Sequence, residues 1–126
     1  MDEELFDAAE FHVDFSVWSI IAFPQEKIIT LKSDTKIIFP LFTDEHLAEQ
    51  FIEDEFPEED VNQLKLPSEY GDAPVLLAEL RILEKAGCEY VGFDPTNRSA
   101  SRIRLFTIGD AIKTLSASLG SDGSSV

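Results

Sequence analysis

Residues 13–42 constrain the fold more than any other stretch. Three apolar runs, VDFSVWSIIAF (13–23), KIITLK (27–32) and KIIFPLF (36–42), are separated only by Pro24-Gln25-Glu26 and by Ser33-Asp34-Thr35. Their β-branched and aromatic residues suit a pleated, half-buried surface. Such short polar connectors join neighbouring antiparallel strands. Three sequential strands in an antiparallel meander are therefore expected. Pro40 has no N–H to give to a ladder, so the third strand should have a free edge there or end close by.

Helical periodicity surrounds this block. Residues 2–10 can form a short helix with Leu5, Phe6 and Ala9 on one side and acids at its start. Residues 43–56 read as a second helix, capped by Thr43 or Asp44, with Leu47, Phe51, Ile52 and Phe56 as its apolar stripe. Its C-terminal end carries Glu53, Asp54 and Glu55, where the helix dipole prefers cations, and Pro57 should stop it. A third helix is expected over 74–86, with Asp72 as cap candidate, Leu76, Leu77, Leu80 and Leu83 facing the core, and Gly87 in the left-handed position after its end. Strands are expected at 89–93 and 102–106, and a last helix over 108–117, with Thr107 and Asp110 spaced as a capping box. Residues 56–72 read as a loop in which Val61, Leu64 and Leu66 can add a short strand. The fold class expected is α+β: a curved mixed sheet of about five to six strands that begins with the meander, with two to four helices packed on it.

A chain of 126 residues with 44% hydrophobic residues is long enough for one domain to fold without a disulfide or metal staple. We expect one globular domain over 1–119. The tail at 120–126, GSDGSSV, has too little apolar surface to offset its ordering entropy and should be disordered. The start, MDEELFDAAE, lacks the basic-then-apolar pattern of a secretory signal, and Cys88 stands alone. Both features point to a reduced, cytoplasmic protein, and no apolar run has the length of a membrane helix.

Charge narrows the function classes. With 25 acids against 10 bases the net charge is −15, which disfavours nucleic acid and anionic lipid as partners. Six of the eight residues at 53–60 are acidic: Glu53, Asp54, Glu55, Glu58, Glu59 and Asp60. They form either a docking field for a basic protein surface or a plain solvated helix end and loop. Calcium is disfavoured because the alternating Asp spacing and turn glycine of a calcium loop are missing. Arg98, Arg102 and Arg104 make one basic island, which either holds an anionic ligand or pairs with acids of the chain itself. His46 and Glu49 lie three apart on a helix, but no third metal ligand is evident from spacing. Cys88 reads as a buried, inert thiol, and no nucleophile elbow or phosphate-binding glycine loop occurs. No catalytic residue, metal or cofactor is assigned. Ten phenylalanines and Trp18 should mostly fill the core, although Trp18 and Phe39 could instead line an exposed groove.

The stretch IFPLFTDEHLAEQF (38–51) places an apolar strand, a proline, Phe-Thr and an acid ahead of an amphipathic helix. The later VGFDP (91–95) ends a strand with Asp-Pro. Together these resemble the SseB-like domain of bacterial proteins, in which an asparagine commonly stands where Asp94 stands here. The resemblance implies a mixed α/β domain spanning about residues 18–115, with no known catalytic residues. We therefore expect a small, acidic, non-enzymatic module that binds a protein partner with a basic surface. The alternative is a small-molecule binder or enzyme that holds an anionic ligand on the loop from Gly92 to Arg104. Homo-oligomerisation is left open by composition.

Overall fold

The structure, a computed structural model, describes residues 4–5, 11–33, 35–56, 64–96 and 103–123. Its strands are β1 (Glu4–Leu5), β2 (Val17–Phe23), β3 (Lys27–Ile28), β4 (Leu31–Ser33), β5 (Lys36–Leu41), β6 (Leu64–Tyr70), β7 (Tyr90–Phe93) and β8 (Arg104–Thr107). Its helices are α1 (Glu45–Glu55), α2 (Ala73–Lys85) and α3 (Ile108–Gly123). A five-stranded mixed sheet has the order β1-β8-β7-β5-β4, and a three-stranded antiparallel sheet the order β3-β2-β6. The fold is α+β, as its mixture of hairpins and helical crossovers implies.

The meander is present in chain order but divided between the sheets. The run KIITLK breaks at Ile29-Thr30. Its first half, β3, pairs with β2, while its second half, β4, pairs with β5. The main partner of β2 is instead β6, in register along its whole length from Val17↔Tyr70 to Phe23↔Leu64. The segment expected to be a loop with a short strand thus holds a seven-residue strand. One bridge ties the sheets together: Trp18 and Phe42 exchange backbone hydrogen bonds of 2.9 and 2.8 Å. The ladder of β4 ends at Ile38, so at Pro40 only β7 flanks the strand and the missing N–H costs no ladder bond.

Residues 2–10 were expected to be helical, and the described part is not. Glu4–Leu5 instead adds a parallel strand to β8, with Glu4↔Arg104 and Leu5↔Leu105. The outer edge of β8 offers unpaired backbone groups, and pairing there outweighs the local helical signal. The remaining residues of that segment lie outside the described set.

Strand alternation sorts the core onto two faces. Phe39 and Leu41 of β5, Val91 and Phe93 of β7, and Phe106 of β8 pack against Leu76, Leu77, Leu80 and Leu83 of α2 and Ala111 and Leu115 of α3. Ile38, Leu105, Ile103 and Ile20 form a second cluster with Ala48 and Phe51 of α1. The sheets are therefore the middle layer, with α2 and α3 on one side and α1 on the other. Where the smaller sheet outruns its cover, Leu64 and Leu66 are exposed.

The helix ends follow the expected chemistry. The Asp44 carboxylate accepts from the His46 N–H at 2.8 Å, and that of Asp72 from the Val75 N–H at 3.2 Å. Gly87 sits at φ 104°, open only to glycine at low cost. The Thr107 hydroxyl accepts from the Asp110 N–H at 3.1 Å. The backbone of α3 continues to Gly123, into the stretch where disorder is expected from composition, and residues 124–126 lie outside the described set.

Candidate functional site

β5 and β7 are parallel neighbours, so the turns that follow them leave the sheet at the same edge, where open α/β sheets place their ligands. Thr43 follows β5 and Asp94 follows β7. The Asp94 N–H donates to the Leu41 carbonyl at 2.8 Å. Its Oδ1 accepts from the Thr43 N–H at 2.8 Å and its Oδ2 from the Thr43 hydroxyl at 2.9 Å. Asp94 has φ 52°, a left-handed conformation that aspartate tolerates better than most residues. The clasp fixes the chain just before Asp44, and so fixes where α1 starts.

From that start, Leu47, Gln50, Phe51 and Asp54 fall on one stripe of α1 and face Asp94, Pro95 and Thr96 across a cleft of about 110 Å³. Sites for drug-sized ligands usually hold ~300–1,000 Å³. This cleft is smaller than that range. Its lining is mostly apolar and includes two acidic residues, Asp54 and Asp94. The Gln50 Nε2 donates to Asp54 Oδ1 at 3.0 Å, which orients that carboxylate. The sequence of α1 contains no lysine or arginine, and its last turn carries Glu53, Asp54 and Glu55.

Glu53 and Asp54 are exposed and Glu55 is half-buried, so these three acids share the C-terminal end of α1 beside the cleft. Glu58, Glu59 and Asp60 lie outside the described residues. Of the basic island, Arg104 is exposed with its guanidinium 5.3 Å from the centre of the Phe93 ring, and Arg98 and Arg102 lie outside the described residues. Leu47 was expected in the core and is 44% exposed. α1 is rotated so that Ala48 and Phe51 meet the sheet, which turns Leu47 to the cleft. Phe39 is fully buried, whereas Trp18 is half-buried against the Ile20 and Phe42 cluster.

Sequence reasoning missed Thr43, Gln50 and Asp94 as site residues. The signal lay in PLFT and VGFDP, two stretches noted separately that β5–β7 pairing brings side by side through Pro40↔Gly92 and Leu41↔Phe93.

Several other reactive groups among the described residues are held within the fold. Cys88 is buried, burial pushes its thiol up, and its Sγ lies 3.7 Å from the Ile37 carbonyl and 3.5 Å from that of Tyr90. Ser19 and Tyr70 are buried with their hydroxyls 3.1 Å apart. Tyr70 also bonds the half-buried Glu79. Its single proton serves the carboxylate, so Ser19 donates to the phenol oxygen. Burial pushes Tyr70 up to about 12 and raises Glu79 above the usual carboxylate range. His46 Nδ1 is 3.7 Å from Glu49 Oε1 on the exposed face of α1. Among the described residues no group of three or more His, Cys, Asp or Glu could hold a metal ion, and no helix is long and apolar enough to cross a membrane. No family model matches the chain, and no curated protein matches it.

Proposed function

We propose that this chain is a small cytoplasmic protein-binding module of the SseB-like type, without catalytic activity, that docks a basic protein surface on the acidic end of α1. The observation that carries this reading is the exposure of Glu53 and Asp54 in a last helical turn that contains no basic residue, beside an open cleft. A helix C-terminus is already the negative end of the dipole, so the exposed Glu53 and Asp54 add to a field that attracts a cation. Charge of one sign also speeds encounter with an oppositely charged partner. The SseB-like component rests on the two stretches PLFT and VGFDP, which the Thr43–Asp94 clasp joins. The non-catalytic component rests on the site chemistry: the hydroxyl–carboxylate pair beside the cleft, Thr43 and Asp94, is engaged in holding the turn.

The test is capture from lysate of the source organism with the wild-type chain and with Glu53→Lys/Asp54→Lys/Glu55→Lys, at low and high salt. The expected result is a stoichiometric partner that high salt releases and the charge-reversed chain fails to hold. Equal recovery by both chains would remove the acidic helix end from the binding mechanism.

A further inference from the structure

We infer that the cleft between α1 and the turn after β7 receives one arginine side chain of the partner. This rests on the docking reading above and goes beyond it by naming what the cleft selects. Three observations carry it. First, the size: about 110 Å³ is close to four water volumes at ~30 Å³ each, the scale of one long side chain. Second, the lining: Leu47, Phe51 and Pro95 offer apolar cover for a methylene stem, and Leu47 is 44% exposed. Third, the charge: Asp54 on the helix and Asp94 on the turn both line the cleft. A planar guanidinium fits this arrangement better than an ammonium. It is more weakly hydrated, packs on apolar and aromatic faces, and divides its five donors between acceptors on two sides. Asp94 is already held by Thr43 at 2.8 and 2.9 Å and Asp54 by Gln50 at 3.0 Å, so both carboxylates are in place before the guest arrives.

The experiment measures fluorescence anisotropy of two labelled decapeptides, alternating Arg-Gly and alternating Lys-Gly, against the full chain at one low ionic strength. The peptides have equal charge, so the acidic field alone treats them alike. The expected result is binding of both, with the arginine peptide at least about threefold tighter. Gln50→Trp fills the cleft from an exposed helix position without changing charge, and should erase that preference by weakening the arginine peptide more than the lysine peptide. Leu47→Ala removes an exposed wall and should reduce the preference in the same direction. Asp94→Asn retains the acceptor for the Thr43 N–H and should weaken the arginine peptide more than the lysine peptide. Equal affinities in the wild type, or a preference that survives Gln50→Trp, would overturn the inference. The acidic field is judged separately: Glu53→Lys, which leaves Asp54 and the cleft lining in place, should weaken both peptides, and if it weakens neither, the docking reading falls whatever the preference. Failure of both peptides to bind the wild-type chain overturns both.

Discussion

Asp94 holds Thr43 through both of its carboxylate oxygens, one on the backbone N–H at 2.8 Å and one on the hydroxyl at 2.9 Å. The two residues are 51 positions apart, and their contact closes the edge from which α1 leaves the sheet. The clasp is half-exposed, so each hydrogen bond is worth less than it would be in a dry interior, about 0.5–1.5 kcal/mol. Thr43→Val removes only the hydroxyl donor and should cost about 1 kcal/mol in urea denaturation. Asp94→Ala loses both acceptors and places alanine at φ 52°, so it should cost about 2 kcal/mol. Asp94→Asn retains one acceptor and the tolerance of the left-handed region, and should fall between wild type and Asp94→Ala. A ranking in which Asp94→Ala is as stable as wild type would show that the clasp does not hold the turn.

Gly92 lies at the centre of β7, opposite Pro40 on one side and Leu105 on the other. A Cβ there would stand 2.5 Å from Ile103 Cδ1, 3.1 Å from Ile38 Cγ2 and 3.3 Å from Leu105 Cδ2. Three apolar side chains thus fill the space that the glycine leaves. Gly92→Ala should cost about 1–3 kcal/mol through overpacking, seen as a lower urea midpoint with an unchanged slope. Gly92→Ala combined with Ile103→Val removes the nearest methyl and should recover part of the loss. If the single variant is neutral, the second core cluster is looser than its contacts imply.

These two positions show how far the sequence was legible. Hydrophobic period placed α1, α2, α3 and most strands, because burial of an apolar face decides those elements locally. The four leucines of α2 and the Asp72 cap follow from spacing alone. It offered only a short strand around Leu64 and Leu66, since Leu64-Lys65-Leu66-Pro67 is too polar and proline-broken to read as a seven-residue strand until β2 supplies a partner. It did not divide KIITLK between two sheets, because the break at Ile29-Thr30 depends on where β2 and β5 lie in space. The candidate cleft was half legible: Asp54 was in view as a charge, whereas Gln50 and Asp94 acquire a role only when β5 and β7 pair.

Ser19, Tyr70 and Glu79 form a hydrogen-bonded chain that ends in a half-buried carboxyl. Burial is the larger influence on Glu79 and raises its pKa in the folded state, while the bond from Tyr70 lowers it in part. In the window between the unfolded and folded values the native state binds more protons, so stability must fall as pH rises through it. The contribution is fully present below the unfolded value, near 4.5, and is lost as pH passes the folded value. Glu79→Gln keeps a side-chain acceptor for the Tyr70 hydroxyl and cannot ionise. Its stability should therefore lack this decline, so that it gains on the wild type as pH rises from acid to neutral. Parallel stability–pH curves for the two proteins would remove Glu79 from the linkage. At alkaline pH Tyr70 adds a second decline, between 10 and about 12, where the phenol ionises in the unfolded chain while the buried one keeps its proton.

Glu53 separates stability from function. It is exposed in the last turn of α1, where a negative charge opposes the helix dipole and where no cation stands nearby on the helix. Glu53→Lys replaces an unfavourable end charge with a favourable one and should stabilise the fold by ~0.3–1 kcal/mol at low salt. The same change removes part of the acidic field and should slow association with a basic partner. The two effects carry opposite signs, which a substitution that merely damages the fold cannot produce. Thermal melting at two salt concentrations measures the first, and the gain should shrink as salt screens the dipole. Association rate against the alternating Arg-Gly decapeptide measures the second. A variant that is both more stable and slower to bind would show that the acids at this helix end are kept for docking at the expense of stability. If it is more stable with binding unchanged, Glu53 is an ordinary solvated charge and the docking field must lie elsewhere on the chain.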